Sequence, residues 1–129
     1  MMVLKSALAI PAVLLLGGAV VLGVLLGLDY LRRVRSRPTL IGLHLLLGAG
    51  AVEVVAMLLR GTPNGATIPA GAILQASAGL LAFALCSGLI APMIGRRSRA
   101  TMNVALLVHV TASAAGFVLC LVWLISAAR

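Results

Sequence analysis

Four long apolar runs dominate the sequence and limit what it can fold into. They cover roughly residues 4–28, 39–59, 68–94 and 102–127. Each has about the 20 residues that an α-helix needs to cross the hydrocarbon core of a bilayer. With 63% hydrophobic and 9% charged residues, a soluble domain of this length would leave much apolar surface in water. The sequence therefore predicts one all-α integral membrane domain, residues 1–129, folded as an up-and-down four-helix bundle.

Arginines concentrate in two of the connections between these runs. The seven arginines of the first and third connections are Arg32, Arg33, Arg35, Arg37, Arg96, Arg97 and Arg99. The other basic residues, Lys5, Arg60 and Arg129, belong to the opposite side. Because cytoplasmic loops carry an excess of Lys and Arg, we expect a multi-pass protein of the inner (cytoplasmic) membrane with both termini outside. The net charge of +8 then reflects contact with the lipid bilayer and its anionic headgroups, and no nucleic acid is expected as a partner.

The chain has two histidines, His44 and His109, and both lie inside apolar runs. Each follows an arginine cluster at a similar spacing, in RRVRSRPTLIGLH and RRSRATMNVALLVH, which indicates a weak 2+2 internal repeat. Reflection through the loop midpoints puts His44 level with about Leu25 on the first helix. It also puts His44 within about 3 Å of the depth of His109 on the fourth helix, at 1.5 Å per residue. Ionisable side chains inside a membrane are candidates for a functional site.

Small residues lie beside the two histidines or level with them. These residues are Gly23, Gly48, Gly88, Ser113 and Gly116. Small residues let membrane helices approach closely, which is one interpretation of the pattern. The other interpretation is space for a flat macrocycle, because haem iron is suited to two axial imidazoles with little bulk beside them.

The motifs GLHLLLGAG and LLVHVTASAAG, set in four membrane helices, resemble the b-type membrane cytochromes in which histidines from two helices hold haem. The resemblance implies that His44 and His109 are axial ligands of one haem b. It implies one-electron transfer rather than a stand-alone enzyme activity, either alone or as a subunit of a larger redox complex. A quinone or quinol, other redox subunits and a second copy of the chain are the candidate partners. Many relatives carry two haems and four histidines, whereas two histidines suffice here for one.

Two further groups of residues are candidates for a role at such a site. Arg37 and Arg99 lie near the histidines and could pair with haem propionates, although membrane topology alone accounts for them. Glu53 follows His44 by nine residues, which places it on the opposite helix face and about 14 Å farther along the helix. Gln75 is predicted at the depth of Glu53, so a hydrogen bond between a protonated Glu53 and Gln75 would satisfy both groups.

Two other functions fit the same residues. In the first, the chain is a haem-free structural or assembly subunit of a membrane complex, and its histidines only join helices. In the second, it is a small proton-coupled transporter that uses Glu53 as its proton site.

Overall fold

The computed structural model describes residues 2–60, 68–94 and 98–127, with side chains from residue 8 onward in the first range and from residue 71 onward in the second. It contains four α-helices: α1 (Met2–Leu31), α2 (Pro38–Arg60), α3 (Ile68–Ile94) and α4 (Arg99–Ala127). The described ranges contain no strand. The predicted all-α class with four long apolar helices is confirmed.

All four helices are long and apolar enough to cross a membrane. The candidate spans are Leu8–Leu31, Pro38–Arg60, Gly71–Ile94 and Arg99–Ala127. Large apolar side chains on these spans are exposed, for example Leu14 at 68%, Leu46 at 68% and Leu107 at 67%. Exposure of this kind is costly in water and favourable in hydrocarbon. The chain therefore has the build of a multi-pass membrane protein.

The first helix extends beyond the apolar run that predicted it. It continues to Leu31 and ends in a turn at Arg33, which has a φ of 59°. The Val34 N–H donates to the Asp29 carbonyl at 2.9 Å across this turn, the six-to-one bond of a Schellman motif. The second helix begins at Pro38, whose fixed φ and missing N–H suit a first helical turn.

The fourth helix begins at Arg99, earlier than the predicted start at residue 102. The Ser98 hydroxyl accepts a hydrogen bond from the Thr101 N–H at 3.0 Å, so Ser98 caps the helix. Ser98 therefore fixes the start of the helix. Arg99 and Ala100 precede the predicted start and are helical because Arg and Ala have high helix propensity. The predicted turn-rich connection at residues 61–67 and the predicted loop arginines Arg96 and Arg97 lie outside the described residues.

The chain divides into two compact units, Met1–Leu58 and Leu59–Arg129. The first contains α1 and α2 and is called the first hairpin; the second contains α3 and α4 and is called the second hairpin. In the first hairpin, a Cβ on Gly18 would lie 3.0 Å from the Leu47 side chain, and a Cβ on Gly50 would lie 3.6 Å from Leu15. The contact with the higher residue number on α1 has the lower residue number on α2. The two helices are therefore antiparallel, and they are closely packed.

The two hairpins bury equivalent positions. Positions with the same sequence separation as His44 and His109 form six pairs that are buried in both hairpins: Ala12 and Ser77, Leu16 and Leu81, Ala19 and Ala84, Ala51 and Gly116, Val55 and Cys120, and Leu58 and Trp123. The weak internal repeat noticed around the histidines therefore extends through the core of each hairpin.

Candidate functional site

His44 is held inside the first hairpin by the backbone of α1. Its Nδ1 lies 2.9 Å from the carbonyl oxygen of Ala19. The half-buried ring also lies against Gly23, where a Cβ would be 3.1 Å from Cε1. The ring therefore meets α1 between Ala19 and Gly23, closer to the start of α1 than the predicted level at Leu25. The middle of the connection between α1 and α2 is therefore not the mirror point of the hairpin.

His109 has the same arrangement in the second hairpin. Its Nδ1 lies 2.8 Å from the carbonyl oxygen of Ala84, and a Cβ on Gly88 would be 2.8 Å from its Cε1. Ser87 adds a difference: its hydroxyl donates to the same Ala84 carbonyl at 2.9 Å and lies 3.5 Å from the His109 Nδ1. The His109 ring therefore meets α3 between Ala84 and Gly88.

The two histidine arrangements have one pattern of spacing. In both hairpins, the bonded carbonyl belongs to the residue 25 positions before the histidine. The glycine beneath the ring follows that residue by four positions, at Gly23 and at Gly88. The alanine carbonyls were missed by sequence reasoning, which looked for side-chain partners. An alignment of the two halves on their histidines reveals both alanines and both glycines.

A backbone carbonyl can only accept a hydrogen bond, so the chemistry of the Nδ1 contact is defined. In each histidine Nδ1 carries the proton and donates it to the carbonyl. A neutral imidazole then has its lone pair on Nε2. This tautomer, with the second ring nitrogen donating to a carbonyl, is the one that metal-ligating histidines usually adopt.

The small residues predicted to flank the histidines have different environments. A Cβ on Gly48 would meet no atom within 4 Å, so there is open space at this position of α2. Gly116 is buried, and a Cβ there would lie 2.9 Å from the Leu81 Cγ and 3.2 Å from the Leu81 backbone nitrogen. Ser113 donates its hydroxyl to the His109 carbonyl one turn earlier in α4. Gly116 thus brings α3 and α4 together, and Ser113 engages the backbone that carries His109.

The two arginines predicted to meet a cofactor lie at helix starts. Arg37 is exposed and precedes α2, and its carbonyl accepts hydrogen bonds from the N–H groups of Leu40 at 3.0 Å and Ile41 at 3.3 Å. Arg99 is exposed and is the first residue of α4. Arg99 thus lies on α4, ten positions before His109, and Arg37 lies immediately before α2, seven positions before His44.

The predicted pair of Glu53 and Gln75 is divided between the two hairpins. Glu53 lies on α2 and Gln75 lies on α3, and both side chains are exposed. Glu53 is thus on a different face of α2 from the half-buried His44, as its spacing predicted. The hydrogen bond between Glu53 and Gln75 stays a prediction.

The described residues contain no group of three or more His, Cys, Asp and Glu side chains that could hold a metal ion. Two histidines are therefore the largest set of nitrogen ligands that the described part of the chain offers. Comparisons with protein-family models, with curated proteins and with solved structures found no match to this chain. The proposal for its function rests on the chain's own residues.

Proposed function

We propose that this chain is a membrane b-type cytochrome in which His44 and His109 are the two axial ligands of one haem b. The observation that carries the proposal is the repeated histidine arrangement. Both Nδ1 atoms contact a backbone carbonyl, at 2.9 Å from Ala19 and at 2.8 Å from Ala84. Two similar histidine arrangements on equivalent helices suit a cofactor with two axial positions.

The hydrogen bond on Nδ1 prepares each histidine for ligation. Because Nδ1 donates its proton, the lone pair of the neutral ring is on Nε2, the nitrogen that would bind iron. The carbonyl bond also fixes the orientation of the ring. Gly23 and Gly88 contribute by letting each ring lie close to the neighbouring helix. Two features make the histidines suitable ligands for haem iron. Each has its lone pair on Nε2, and each makes the same contacts with an alanine carbonyl and a glycine of the neighbouring helix.

Haem b, when bound, would supply one-electron redox chemistry that no side chain of this chain provides. The chain's own residues would hold and insulate it. The open space at Gly48 would admit a flat ligand beside α2, and Ser113 would line the equivalent part of α4. Arg37 and Arg99 would pair with the propionates, because guanidinium groups bind carboxylates in a two-pronged manner.

The same proposal gives the protein a place in the cell membrane and partners for electron transfer. The protein would lie in the inner membrane with its arginine-rich connections in the cytoplasm. It would exchange electrons with a quinol or with other membrane redox subunits, as a separate protein, a homo-oligomer or part of a larger complex. Its role would be electron transfer rather than a stand-alone enzyme activity.

The test is the visible spectrum of the full chain purified in detergent from haem-replete cells. We expect about one haem per chain and, after dithionite, the sharp α-band of six-coordinate haem b. His44→Ala and His109→Ala should each lose the six-coordinate spectrum, and added imidazole should restore it in part. Glu53→Gln is the matched control and should leave the spectrum unchanged. A colourless wild-type protein, or two alanine variants with unchanged spectra, would overturn the proposal.

The second candidate is a haem-free structural or assembly subunit, and the same histidine contacts favour it. A bond from a histidine to a backbone carbonyl on the neighbouring helix joins the helices of a hairpin without any cofactor. In this case the protein is colourless, and His44→Ala and His109→Ala lower the stability of the hairpins. Added haemin then changes neither the spectrum nor the unfolding of the purified chain.

The third candidate is a small proton-coupled transporter that uses Glu53. Its support is the position of a carboxyl within a candidate membrane span, Pro38–Arg60, where ionisable groups are costly and are often functional. Glu53→Gln should abolish proton-coupled uptake into vesicles while any haem spectrum is retained. Uptake that is equal in the wild type and in Glu53→Gln would reject this function.

A further inference from the structure

An open groove runs along one side of the second hairpin. It has a volume of about 630 Å³ and lies between the later part of α3 and the earlier part of α4. Phe83 and Ile90 line it from α3, and Val104 lines it from α4. Cavities that hold small organic ligands have volumes of about 300–1,000 Å³. The groove is therefore large enough for a small organic ligand or part of a lipid.

The walls of the groove are apolar and face outward. Phe83 is 55% exposed, Ile90 is 50% exposed and Val104 is 62% exposed. These residues belong to candidate membrane spans, Gly71–Ile94 and Arg99–Ala127. Neither charged nor amide side chains line the groove, whose polar groups are two hydroxyls and the Cys86 thiol. Such a surface suits hydrocarbon.

Two small, half-buried residues are among those that line the groove. These are Ser87 on α3 and Ala105 on α4. The equivalent positions of the first hairpin carry Leu22 and Leu40. The repeat therefore shows that larger side chains are compatible with this hairpin architecture. Leucine at both positions of the second hairpin should therefore fill part of the groove while the hairpin still forms.

One end of the groove reaches the start of α4. Thr101 lines this end, and the exposed Arg99 begins the helix. The sequence just before it, at residues 95–98, reads GRRS. Basic residues at the end of a membrane span attract anionic lipid headgroups. The apolar groove and its basic end together have the complementarity of a lipid with one negative headgroup and a hydrocarbon chain.

We propose that this groove binds an anionic phospholipid, with an acyl chain between α3 and α4 and the phosphate at Arg99. The proposal does not depend on haem. Phosphatidylglycerol is the probe, and phosphatidylcholine is its counterpart with no net charge. A second copy of the chain is the competing occupant, because a helix from a neighbouring protein could also cover an apolar groove.

The first experiment measures lipid binding to the delipidated full chain by native mass spectrometry. The wild type should retain phosphatidylglycerol in preference to phosphatidylcholine. The variant Ser87→Leu/Ala105→Leu fills the groove with the residues of the first hairpin and should bind phosphatidylglycerol at least about tenfold more weakly. Ala82→Leu/Ala114→Leu adds similar bulk at exposed positions outside the groove and should bind as the wild type does. Arg99→Gln should reduce the preference for phosphatidylglycerol about fivefold, the loss expected for one basic residue near a headgroup.

The second experiment needs no substitution and so avoids any effect on folding. Cys86 is exposed in the groove and Cys120 is buried, so a membrane-permeant maleimide should react with Cys86. Phosphatidylglycerol should slow this reaction several-fold more than phosphatidylcholine does, at equal mole fractions in otherwise identical nanodiscs. Equal rates of Cys86 modification in the two lipids would overturn the proposal. Equal lipid binding by the wild type and by Ser87→Leu/Ala105→Leu would also overturn it. A wild-type dimer that becomes monomeric on filling the groove, with unchanged lipid binding, would identify a second copy as the occupant instead.

Discussion

The two hairpins share their histidine arrangement and differ in the packing around it. Each has a histidine bonded to the carbonyl of an alanine 25 residues earlier, with a glycine beneath the ring. The fit between ring and glycine is looser in the first hairpin, where a Cβ on Gly23 would be 3.1 Å from the ring, than in the second, where a Cβ on Gly88 would be 2.8 Å away. The arrangement is therefore compatible with two different degrees of helix approach.

The differences lie mainly where α3 and α4 come together. Gly116 takes the place that Ala51 has in the first hairpin, and Ser77 takes the place of Ala12. All four positions are buried. The second hairpin thus gains close approach and a side-chain hydrogen bond at positions where the first has only methyl groups. This comparison teaches that the histidine contacts are separable from the contacts that hold a hairpin together, and substitutions can test that separation.

The largest effect is expected for Gly116→Ala. A Cβ at this position would lie 2.9 Å from the Leu81 Cγ and 3.2 Å from the Leu81 backbone nitrogen. A side chain can move aside but a backbone atom moves only with its helix, so α3 and α4 must separate. We expect a loss of about 1–3 kcal/mol in the free energy of unfolding, the usual cost of overpacking. Unfolding by SDS titration in mixed micelles measures it.

Two variants sharpen this result. Gly79→Ala is the control in the same hairpin, because a Cβ at Gly79 meets nothing within 4 Å and only the helix propensity changes. Ala51→Gly is the counterpart in the first hairpin and should cost about 1–2 kcal/mol, the value of one buried methyl group together with the lower helix propensity of glycine. If Gly116→Ala is as stable as Gly79→Ala, the close approach at Gly116 does not stabilise the second hairpin.

The sequence predicted the helices well and their detailed meeting points poorly. Hydropathy identified all four spans, because length and apolarity are sufficient to predict a membrane helix. The end of α1 was missed, since a turn with Arg33 at positive φ leaves no mark on hydropathy. The Ala19 and Ala84 carbonyls were also missed, because every residue has a carbonyl and only helix register selects which one faces a histidine. The register between two helices depends on how they pack. The hydrophobic periodicity of one helix gives no information about that packing.

A smaller effect is expected when the glycine beneath each histidine is enlarged. In Gly88→Ala the new methyl would displace the His109 ring, whose Cε1 and Nδ1 would otherwise be 2.8 Å and 3.0 Å away. We expect a loss of about 1–2 kcal/mol, which includes most of the hydrogen bond to Ala84. Gly23→Ala should cost less than about 1 kcal/mol, because small movements of the His44 ring relieve the contact.

The ring itself provides a second measurement for this pair. The ¹⁵N chemical shifts of the imidazoles report the proton on Nδ1. We expect Gly88→Ala to change the shifts of His109 strongly. Gly23→Ala should change the shifts of His44 less. Gly27→Ala and Gly79→Ala are controls, since a Cβ at either glycine meets nothing within 4 Å. Equal responses of the two histidines would contradict the difference in fit between the hairpins.

The smallest effect is expected for Ser77→Ala, although Ser77 is completely buried. Its hydroxyl donates to the Gly116 carbonyl at 2.8 Å. That carbonyl lies inside α4 and has a backbone partner one turn later, so the substitution leaves no acceptor unsatisfied. Hydrogen bonds between membrane helices contribute about 0.6 kcal/mol on average, and we expect a loss of this size in the SDS titration. Ala12 shows that the equivalent site of the first hairpin accommodates a methyl group without a hydroxyl. A loss above about 2 kcal/mol would mean that this hydrogen bond, and not the close approach at Gly116, is the main difference between the two hairpins.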